Sequence, residues 1–167
     1  WQDDWVDEHV SGGELHLKLE FLQRTGSFKA RGAVNNILTR DDVEREKGVT
    51  AVSAGNHAIA VAYAANVLGV SAKVVMHRDA NPARVAKCHA FGAEVVLVDD
   101  MTQAFPAMEE IAATENRSVI HPFDGQATMQ GTGTVGLEIA ESIADLDAVV
   151  VAVGGGGLIA GVGAALK

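Results

Sequence analysis

Short valine-rich runs alternate with longer amphipathic stretches along most of the chain. The runs with the length and composition of buried parallel strands are VTAVS (49–53), AKVVMH (72–77), EVVLVD (94–99), SVIH (118–121) and DAVVVAV (147–153). LHLKLE (15–20) alternates like a half-buried strand. Helical patterns follow Ser27 and cover 56–69, 82–92, about 102–115 and 132–143. This alternation predicts an α/β fold with a mostly parallel sheet.

The composition narrows the classes of partner and compartment. The chain has 167 residues, of which 48% are hydrophobic, and a net charge of -9, which argues against nucleic acid or an anionic membrane as a partner. No apolar run reaches the roughly 18 residues that a membrane span requires. The single cysteine, Cys88, excludes an intrachain disulfide, and we expect a cytoplasmic protein. Neither Cys88 nor the histidines show metal-ligand spacing, so we expect no metal site.

A run of four glycines follows the last valine-rich segment. Gly154, Gly155, Gly156 and Gly157 lead into a helix that is predicted to begin at about Leu158. Backbone N–H groups in such a turn can converge on an anion at the positive end of the helix dipole. A tight turn from strand to helix is the alternative, but it needs fewer glycines. The run therefore predicts a phosphate site, and the lack of a following Lys-Ser or Lys-Thr pair excludes a P-loop.

The sequence GTGTVG (131–136) is a weaker signal, although it fits G-x-G-x-x-G literally. It does not directly follow a strand, and no carboxylate lies at the distance that a dinucleotide fingerprint requires. We interpret it as the start of a helix. The preceding segment, HPFDGQATMQG (121–131), is the most irregular part of the chain and is predicted to cross between subdomains.

A second turn from strand to helix consists of Ser53, Ala54, Gly55, Asn56 and His57. Its hydroxyl, amide, imidazole and backbone N–H groups could meet a carboxylate or a phenolate. Taken alone, the turn is a Ser or Asn helix cap. Because a phosphate site is predicted at the strand ends of the same sheet, a binding role becomes the favoured interpretation.

Lys29 lies at an unfavourable place for a positive charge. Ser27 is the predicted N-cap of a helix, with Phe28, Ile37 and Leu38 on its apolar face. The helix dipole and the apolar neighbours should both lower the pKa of Lys29, which leaves more of its amine nucleophilic near neutral pH. A solvated helix lysine is the alternative. A nearby phosphate site favours the Schiff-base lysine of an enzyme that uses pyridoxal phosphate.

Three segments together resemble a known family. LKLEFLQRTGSFKARGA (17–33), SAGNHAIAVAYAA (53–65) and VAVGGGGLIAGV (151–162) are similar to successive signatures of the fold type II (tryptophan synthase β-like) pyridoxal-phosphate enzymes. The greatest similarity is to threonine and serine dehydratases and to serine racemase. The resemblance implies domains with three-layer parallel sheets, built around pyridoxal 5'-phosphate.

The resemblance also implies roles for individual residues. Lys29 would bind the cofactor as a Schiff base and act as the catalytic residue, with Phe28 against the cofactor ring. Asn56 would contact the phenolic oxygen, and Gly154 to Gly157 with Leu158 would hold the phosphate. The turn Ser53, Ala54, Gly55, Asn56, His57 would bind the substrate carboxylate.

The implied activity is dehydration and deamination of L-threonine or L-serine to a 2-oxo acid and ammonia. An amino-acid racemase of the same family and a silent fragment that folds and self-associates are the alternatives. Racemases resemble this chain but carry a serine at the position of Ala54. Other departures from the family are Ile59-Ala60 where Gln-Gly is frequent, and GTGT at 131–134 where GQGT is common.

The domain arrangement is likewise an expectation from the resemblance. Residues 1–50 and 129–167 would belong to a larger domain, and residues 51–128 would form a smaller inserted domain. Full members of the family are considerably longer, so the larger domain is expected to be incomplete at its C-terminus. A homodimer is expected as the oligomeric state.

Overall fold

A four-stranded parallel sheet forms the centre of the computed structural model, which describes Glu8 and residues 14–167. Its strands are β1 (Val49–Val52), β2 (Ala72–His77), β3 (Glu94–Val98) and β4 (Ser118–Val119). Their order across the sheet is β3-β2-β1-β4, and all pairs are parallel. Val49 of β1 stands opposite Ala72 on one side and Ser118 on the other. These four strands confirm the sequence prediction, although β4 is shorter than expected.

Helices fill most of the connections between the strands and continue beyond them. They are α1 (Lys29–Leu38), α2 (Asp42–Lys47), α3 (Asn56–Leu68), α4 (Pro82–Ala90), α5 (Ala104–Glu115), α6 (Gln126–Ser142) and α7 (Gly157–Ala165). Short 3-10 turns occupy Glu20–Leu22, Arg24–Gly26 and Met101–Gln103. None of the helices in the described residues is both long and apolar enough to cross a membrane.

The sheet is covered on both faces, which gives the predicted layered α/β fold. On one face, Val49 and Ala51 of β1 and Val74 and Met76 of β2 are buried with the alanine-rich α3, with Cys88 of α4 and with Ile37 of α1. On the other face, Val52 and Val75 are buried with Ala104 and Met108 of α5. Alternate residues of each strand thus face different layers, as the pleat requires.

Two of the predicted strands are wrong. Residues 15–20 hold an isolated bridge at His16 and then the first 3-10 turn, and residues 147–153 lie outside any ladder. A strand needs a neighbouring strand to satisfy its backbone groups. Within the described residues neither segment has one, and the side chain of Val150 is fully exposed (100%).

The prediction for GTGTVG is also wrong, because these residues lie inside α6 and not at its start. The helix begins at Gln126, so half of the segment that was expected to be irregular is helical. The glycines serve close packing: a Cβ at Gly131 would lie 2.7 Å from the Cα of Gly32 in α1, and one at Gly136 would lie 2.9 Å from the carbonyl oxygen of Val162 in α7. Burial against two helices outweighs the low helix propensity of glycine.

The start of α1 differs slightly from the prediction. The N-cap position is held by Phe28, and Ser27 lies one residue earlier in an extended conformation. The Ser27 hydroxyl is 3.4 Å from the backbone nitrogen of Lys29, a weak contact. The lysine therefore occupies the first helical position, as the sequence indicated for the first turn.

Candidate active site

A cavity of about 240 Å³ brings together residues that are far apart in the sequence. Its walls come from α1, the first turn of α3, the segment after β4, α6 and the glycine run before α7. The lining residues are Phe28, Lys29, Gly32, Ala33, His57, His121, Pro122, Phe123, Thr128, Thr132, Ala152, Gly154, Gly155, Gly156, Gly157 and Leu158.

Lys29 reaches into this cavity from the first turn of α1. Its ammonium donates a hydrogen bond to the carbonyl oxygen of Pro122 and lies 5.1 Å from the centre of the Phe28 ring. The side chain is half-buried, and this burial lowers the pKa of Lys29. The predicted direction of the pKa shift is confirmed, with desolvation as its cause. A larger fraction of the amine is therefore unprotonated and nucleophilic near neutral pH.

The four glycines of the run meet different structural demands. Gly156 has a φ of +88°, in the left-handed region that side chains disfavour, and caps α7. Gly155 and Gly157 pack against Phe123: a Cβ at Gly157 would lie 3.0 Å from the Cα of Phe123, and a Cβ at Gly155 would overlap its ring. No side chain of the described residues caps the first turn of α7. Its N–H groups are therefore free to bind an anion.

His57 is the one member of the Ser53–His57 turn that lines the cavity. Its ring is buried (5% exposed), and Nε2 lies 2.8 Å from the carbonyl oxygen of Ile120. A carbonyl oxygen can only accept, so Nε2 carries the proton and Nδ1 is the acceptor. Burial lowers the pKa of His57 to about 4, and the charge of Lys29 acts in the same direction. The imidazole is neutral at pH 7.

The other residues of that turn lie outside the cavity lining. The Ser53 hydroxyl accepts a hydrogen bond from the N–H of Gly55 at 3.1 Å, and the Ala54 carbonyl oxygen accepts one from Nη1 of Arg84 at 3.3 Å. Gly55 is the N-cap of α3, and Asn56 begins that helix without a side-chain cap. The alternative interpretation as a Ser or Asn helix cap is therefore wrong.

Sequence reasoning missed the contribution of the segment after β4. His121, Pro122 and Phe123 line the cavity, although His121 showed no metal-ligand spacing and the segment looked like a crossing. The His121 ring accepts the N–H of Asp124 at 2.9 Å and meets the Phe123 ring edge-on, with 4.6 Å between centres. The sequence HPF (121–123) lies at the carboxyl end of a predicted parallel strand, where ligands bind in such sheets, and this position could have predicted its place in the cavity.

An arginine fixes the helix that carries Lys29. Arg31 donates to both carboxylate oxygens of Glu20 at 2.9 Å and to both of Glu138 at 2.7 and 2.8 Å. Its Nη1 also donates to the Thr134 hydroxyl at 2.9 Å. These bidentate bonds to Arg31 lower the pKa of Glu138 to about 2. α1, α6 and the turn at Glu20–Leu22 are thereby held together.

Comparison with protein families places this geometry in a known group. The chain matches the family described as "Pyridoxal-phosphate dependent enzyme" over residues 6–167. The chain belongs to this family. The fold type II resemblance read from the three sequence segments is thus confirmed.

Individual relatives align with nearly the whole of this chain. A phenylserine dehydratase from Ralstonia pickettii is 54% identical over 160 residues, which is 96% of this chain and 49% of the relative. An L-threonine ammonia-lyase from Thermotoga maritima is 46% identical, covering 97% of this chain and 41% of the relative. A solved structure of maize serine racemase matches with a TM-score of 0.97 at 36% identity, covering 100% of this chain and 51% of that one. The chain spans about half the length of the relatives it matches.

The lining of the cavity suits the cofactor of the family. An amine with a lowered pKa would suit condensation with the cofactor aldehyde, and free N–H groups at a helix start would suit its phosphate. The Phe28 ring lies beside the Lys29 amine, and Phe123 packs against Gly155 and Gly157. The residues present therefore fit pyridoxal phosphate.

Proposed function

We propose that the protein is a pyridoxal-phosphate-dependent ammonia-lyase that converts L-threonine or L-serine to a 2-oxo acid and ammonia. The observation that carries this proposal is the presence of the Lys29 amine and the glycine run Gly154 to Gly157 in one cavity. The names of the two relatives, phenylserine dehydratase and L-threonine ammonia-lyase, support the substrate class. Phenylserine and threonine are both amino acids with a hydroxyl on the β-carbon, which is the group lost in dehydration.

In this proposal each part of the cavity holds one part of the cofactor. Lys29 would bind it covalently, Phe28 would pack against its ring, and the N–H groups of Gly154 to Gly157 and Leu158 would hold its phosphate. Asn56 would contact its phenolic oxygen; the support is that Asn56 directly precedes His57, which lines the cavity. When bound, pyridoxal phosphate supplies an electron-withdrawing ring that stabilises negative charge on the α-carbon of an amino acid.

The chain itself supplies the base and the carboxylate site. The Lys29 amine takes the α-proton, a role that requires the unprotonated form favoured by its lowered pKa. The substrate carboxylate binds at the turn Ser53 to His57. Support comes from α3, a 13-residue helix with no side-chain cap, whose free N–H groups and positive dipole end attract an anion.

The test is 2-oxo acid formation in the presence of pyridoxal phosphate with L-threonine, L-serine and phenylserine as separate substrates. Lys29→Ala should lower the rate by at least about 10²- to 10⁴-fold, because the base is lost. Borohydride should fix the cofactor on Lys29 in the wild-type protein. Lys73→Ala, which removes a lysine from β2, is the matched control and should keep both activity and trapping. Trapping on Lys18 or Lys73 would refute the assignment of Lys29.

A racemase is the second candidate, because the backbone matches maize serine racemase with a TM-score of 0.97. Racemisation needs a second proton donor on the face of the α-carbon opposite Lys29. In the racemases that resemble this chain, that donor is a serine at the position of Ala54. Alanine has no proton to donate at any pH, so elimination should outrun racemisation.

The choice between these activities is tested with L-serine by measuring pyruvate and D-serine together. We expect pyruvate in large excess, and a shift towards D-serine in Ala54→Ser. Equal rates of the two products in the wild-type protein would show that another residue donates the proton and that the dehydratase proposal is wrong.

We also propose a domain arrangement, an oligomeric state and a cellular compartment for the protein. Residues 51–128 form a smaller domain inserted between 1–50 and 129–167 of a larger one. The support is that the four strands found in the described part of the chain all lie within residues 49–119. The protein is proposed to act as a cytoplasmic homodimer. Limited proteolysis that cuts first near residues 50 and 128 would support the domain boundaries, whereas first cuts between the start of α3 and the end of α5 would contradict them.

A further inference from the structure

Thr132 lies where three helices meet at the cavity. It projects from α6, is 2% exposed and contributes to the cavity wall. α6 and α7 approach closely here because Gly161 has no side chain: a Cβ on Gly161 would lie 2.5 Å from the carbonyl oxygen of Met129 and 2.7 Å from the nitrogen of Gly133. The two helices therefore touch through their backbones beside Thr132.

The hydroxyl of Thr132 reaches the last glycine of the run. Its Oγ1 is 2.8 Å from the carbonyl oxygen of Gly157, and 3.1 Å from those of Thr128 and Met129. A hydroxyl has one proton, and the two longer contacts are those that any helical threonine can make to its own preceding turn. The shortest contact is the one that joins α6 to the glycine run.

This hydrogen bond acts on an N–H group through the planarity of the peptide bond. The carbonyl of Gly157 and the N–H of Leu158 share one peptide plane and point in opposite directions. The Leu158 N–H belongs to the first turn of α7, where N–H groups lack partners within the helix. Leu158 and Gly157 both line the cavity. Fixing the Gly157 carbonyl from α6 therefore fixes the direction of the Leu158 N–H towards the cavity end of α7.

We propose that Thr132 is a positioning residue for the phosphate group of the cofactor, acting through the Gly157 carbonyl on the Leu158 N–H. The inference rests on the proposed function, because it takes the glycine run as the phosphate site. Thr132 does not touch the phosphate itself; it determines how well a backbone donor is aimed at it.

The test compares two ligands that differ by the phosphate group. Dissociation constants for pyridoxal phosphate and for pyridoxal are measured by absorbance titration of the wild-type protein and of Thr132→Val, which keeps the shape of the side chain and removes the hydroxyl. Affinity for pyridoxal phosphate should fall about threefold to tenfold, the effect of one lost hydrogen bond, and affinity for pyridoxal should stay unchanged. Thr132→Ser retains the hydroxyl and should keep the wild-type ratio of the two constants.

Thr134→Val is the matched control on the same helix. The Thr134 hydroxyl donates to the carbonyl oxygen of Gly131 at 2.7 Å and accepts from Arg31, on the α1 side of α6. Its loss should leave the ratio of the two dissociation constants as in the wild-type protein.

The outcomes separate the inference from the function on which it rests. If the wild-type protein binds pyridoxal as tightly as pyridoxal phosphate, the phosphate site itself is wrong. If the wild-type protein prefers pyridoxal phosphate and Thr132→Val retains that preference, the positioning role of Thr132 is wrong while the phosphate site stands. Equal weakening of both ligands by Thr132→Val would also contradict the inference, because it would indicate a general effect on packing.

Discussion

Burial of the Lys29 ammonium costs folding free energy, and the same burial lowers the pKa of Lys29 as its proposed chemistry requires. Half-buried beside Phe28 and hydrogen-bonded to one carbonyl oxygen, its ammonium loses water that it would keep in the unfolded chain. A group whose pKa is lowered on folding binds fewer protons in the native state than in the unfolded state. Its unfavourable effect on stability is therefore present at neutral pH and disappears as the amine loses its proton.

We predict a pH signature of this penalty in the free energy of unfolding, measured with urea and without added cofactor. Between pH 7 and about 10.5, wild-type protein should gain stability relative to Lys29→Met, because the amine becomes neutral in the unfolded chain only near its ordinary pKa of 10.5. A difference between the two proteins that does not change over this range would contradict the prediction.

Lys73 is the control with the opposite sign. The Lys73 ammonium donates hydrogen bonds to Glu115 and Glu94, which raise the pKa of Lys73. Its favourable contribution to stability is therefore complete below pH 10.5 and is lost as the pH rises above that value. The free energy of unfolding of wild-type protein should therefore exceed that of Lys73→Met by a constant amount up to pH 10.5, and this difference should shrink above pH 10.5.

Sequence patterns predicted single residues well where a local rule applied to them. A lysine in the first turn of a helix, followed by apolar positions, indicated a lowered pKa without any tertiary information. The neutral state of His57 could not be predicted, because it depends on burial and on the carbonyl of Ile120, 63 residues away. Roles in binding the cofactor and the substrate stay predictions for all of these residues.

At the scale of elements, α6 packs against both helices of the candidate site: α1, which carries Lys29, and α7, which follows the glycine run. Gly131 allows α1 to approach, and Gly133 and Gly136 allow α7 to approach. Arg31 ties α1 to α6 through Glu138, and Thr132 ties the start of α7 to α6. The distance between the lysine and the glycine run is therefore determined by one helix.

The pair of Arg31 and Glu138 predicts a loss of stability in acid. Arg31 lowers the pKa of Glu138 to about 2. The stability that its carboxylate contributes is therefore complete above the ordinary glutamate pKa of 4.5 and is lost as the pH falls to about 2. Solvent screens the pair because the Glu138 side chain is 41% exposed, and we expect Glu138→Gln to cost about 1 kcal/mol at pH 7.

Chemical unfolding at pH 7 and at pH 3 checks this prediction. The stability difference between wild-type protein and Glu138→Gln should shrink at the lower pH. Glu141→Gln, which changes an exposed glutamate of the same helix, should show the acid dependence of the wild-type protein. An equal acid dependence in Glu138→Gln and wild-type protein would mean that the pair contributes no pH-dependent stability.

Elements could be predicted where their partners lie nearby in the sequence. Strands 49–52, 72–77 and 94–98 have valine-rich patterns and find neighbours through a single intervening helix, so their patterns were sufficient. Residues 15–20 and 147–153 have equally good strand patterns but no neighbouring strand within the described residues. The glycines of 131–136 indicated the start of a helix and not its interior, because their close contacts with α1 and α7 cannot be read from a local pattern.

At the scale of the whole molecule, one segment without regular secondary structure exposes several apolar side chains. Within residues 146–153, Leu146 is 36%, Val150 100% and Val153 64% exposed. Backbone groups in this segment lie outside any ladder, and exposed apolar segments of this kind favour association with another chain.

We predict that the 167-residue chain self-associates through this segment. Sedimentation should show dimers or larger species, and Val150→Lys should lower their fraction by introducing a charge. Val67→Lys is the matched control, because Val67 is 58% exposed but belongs to α3 on another part of the surface. A protein that sediments as a monomer, or an equal fraction of larger species in Val150→Lys and wild-type protein, would contradict the prediction.

The hydrogen bond from Lys29 to Pro122 joins residues that are 93 positions apart. Walls of the cavity come from segments as early as Phe28 and as late as Leu158, so all of residues 28–158 must leave the ribosome before the cavity can close. The sheet, by contrast, uses residues 49–119 and can form while the glycine run is still being synthesised. Until then the cavity lacks the glycine run that is proposed to hold the phosphate of the cofactor. We therefore expect the cofactor to be captured only after Leu158 has been synthesised.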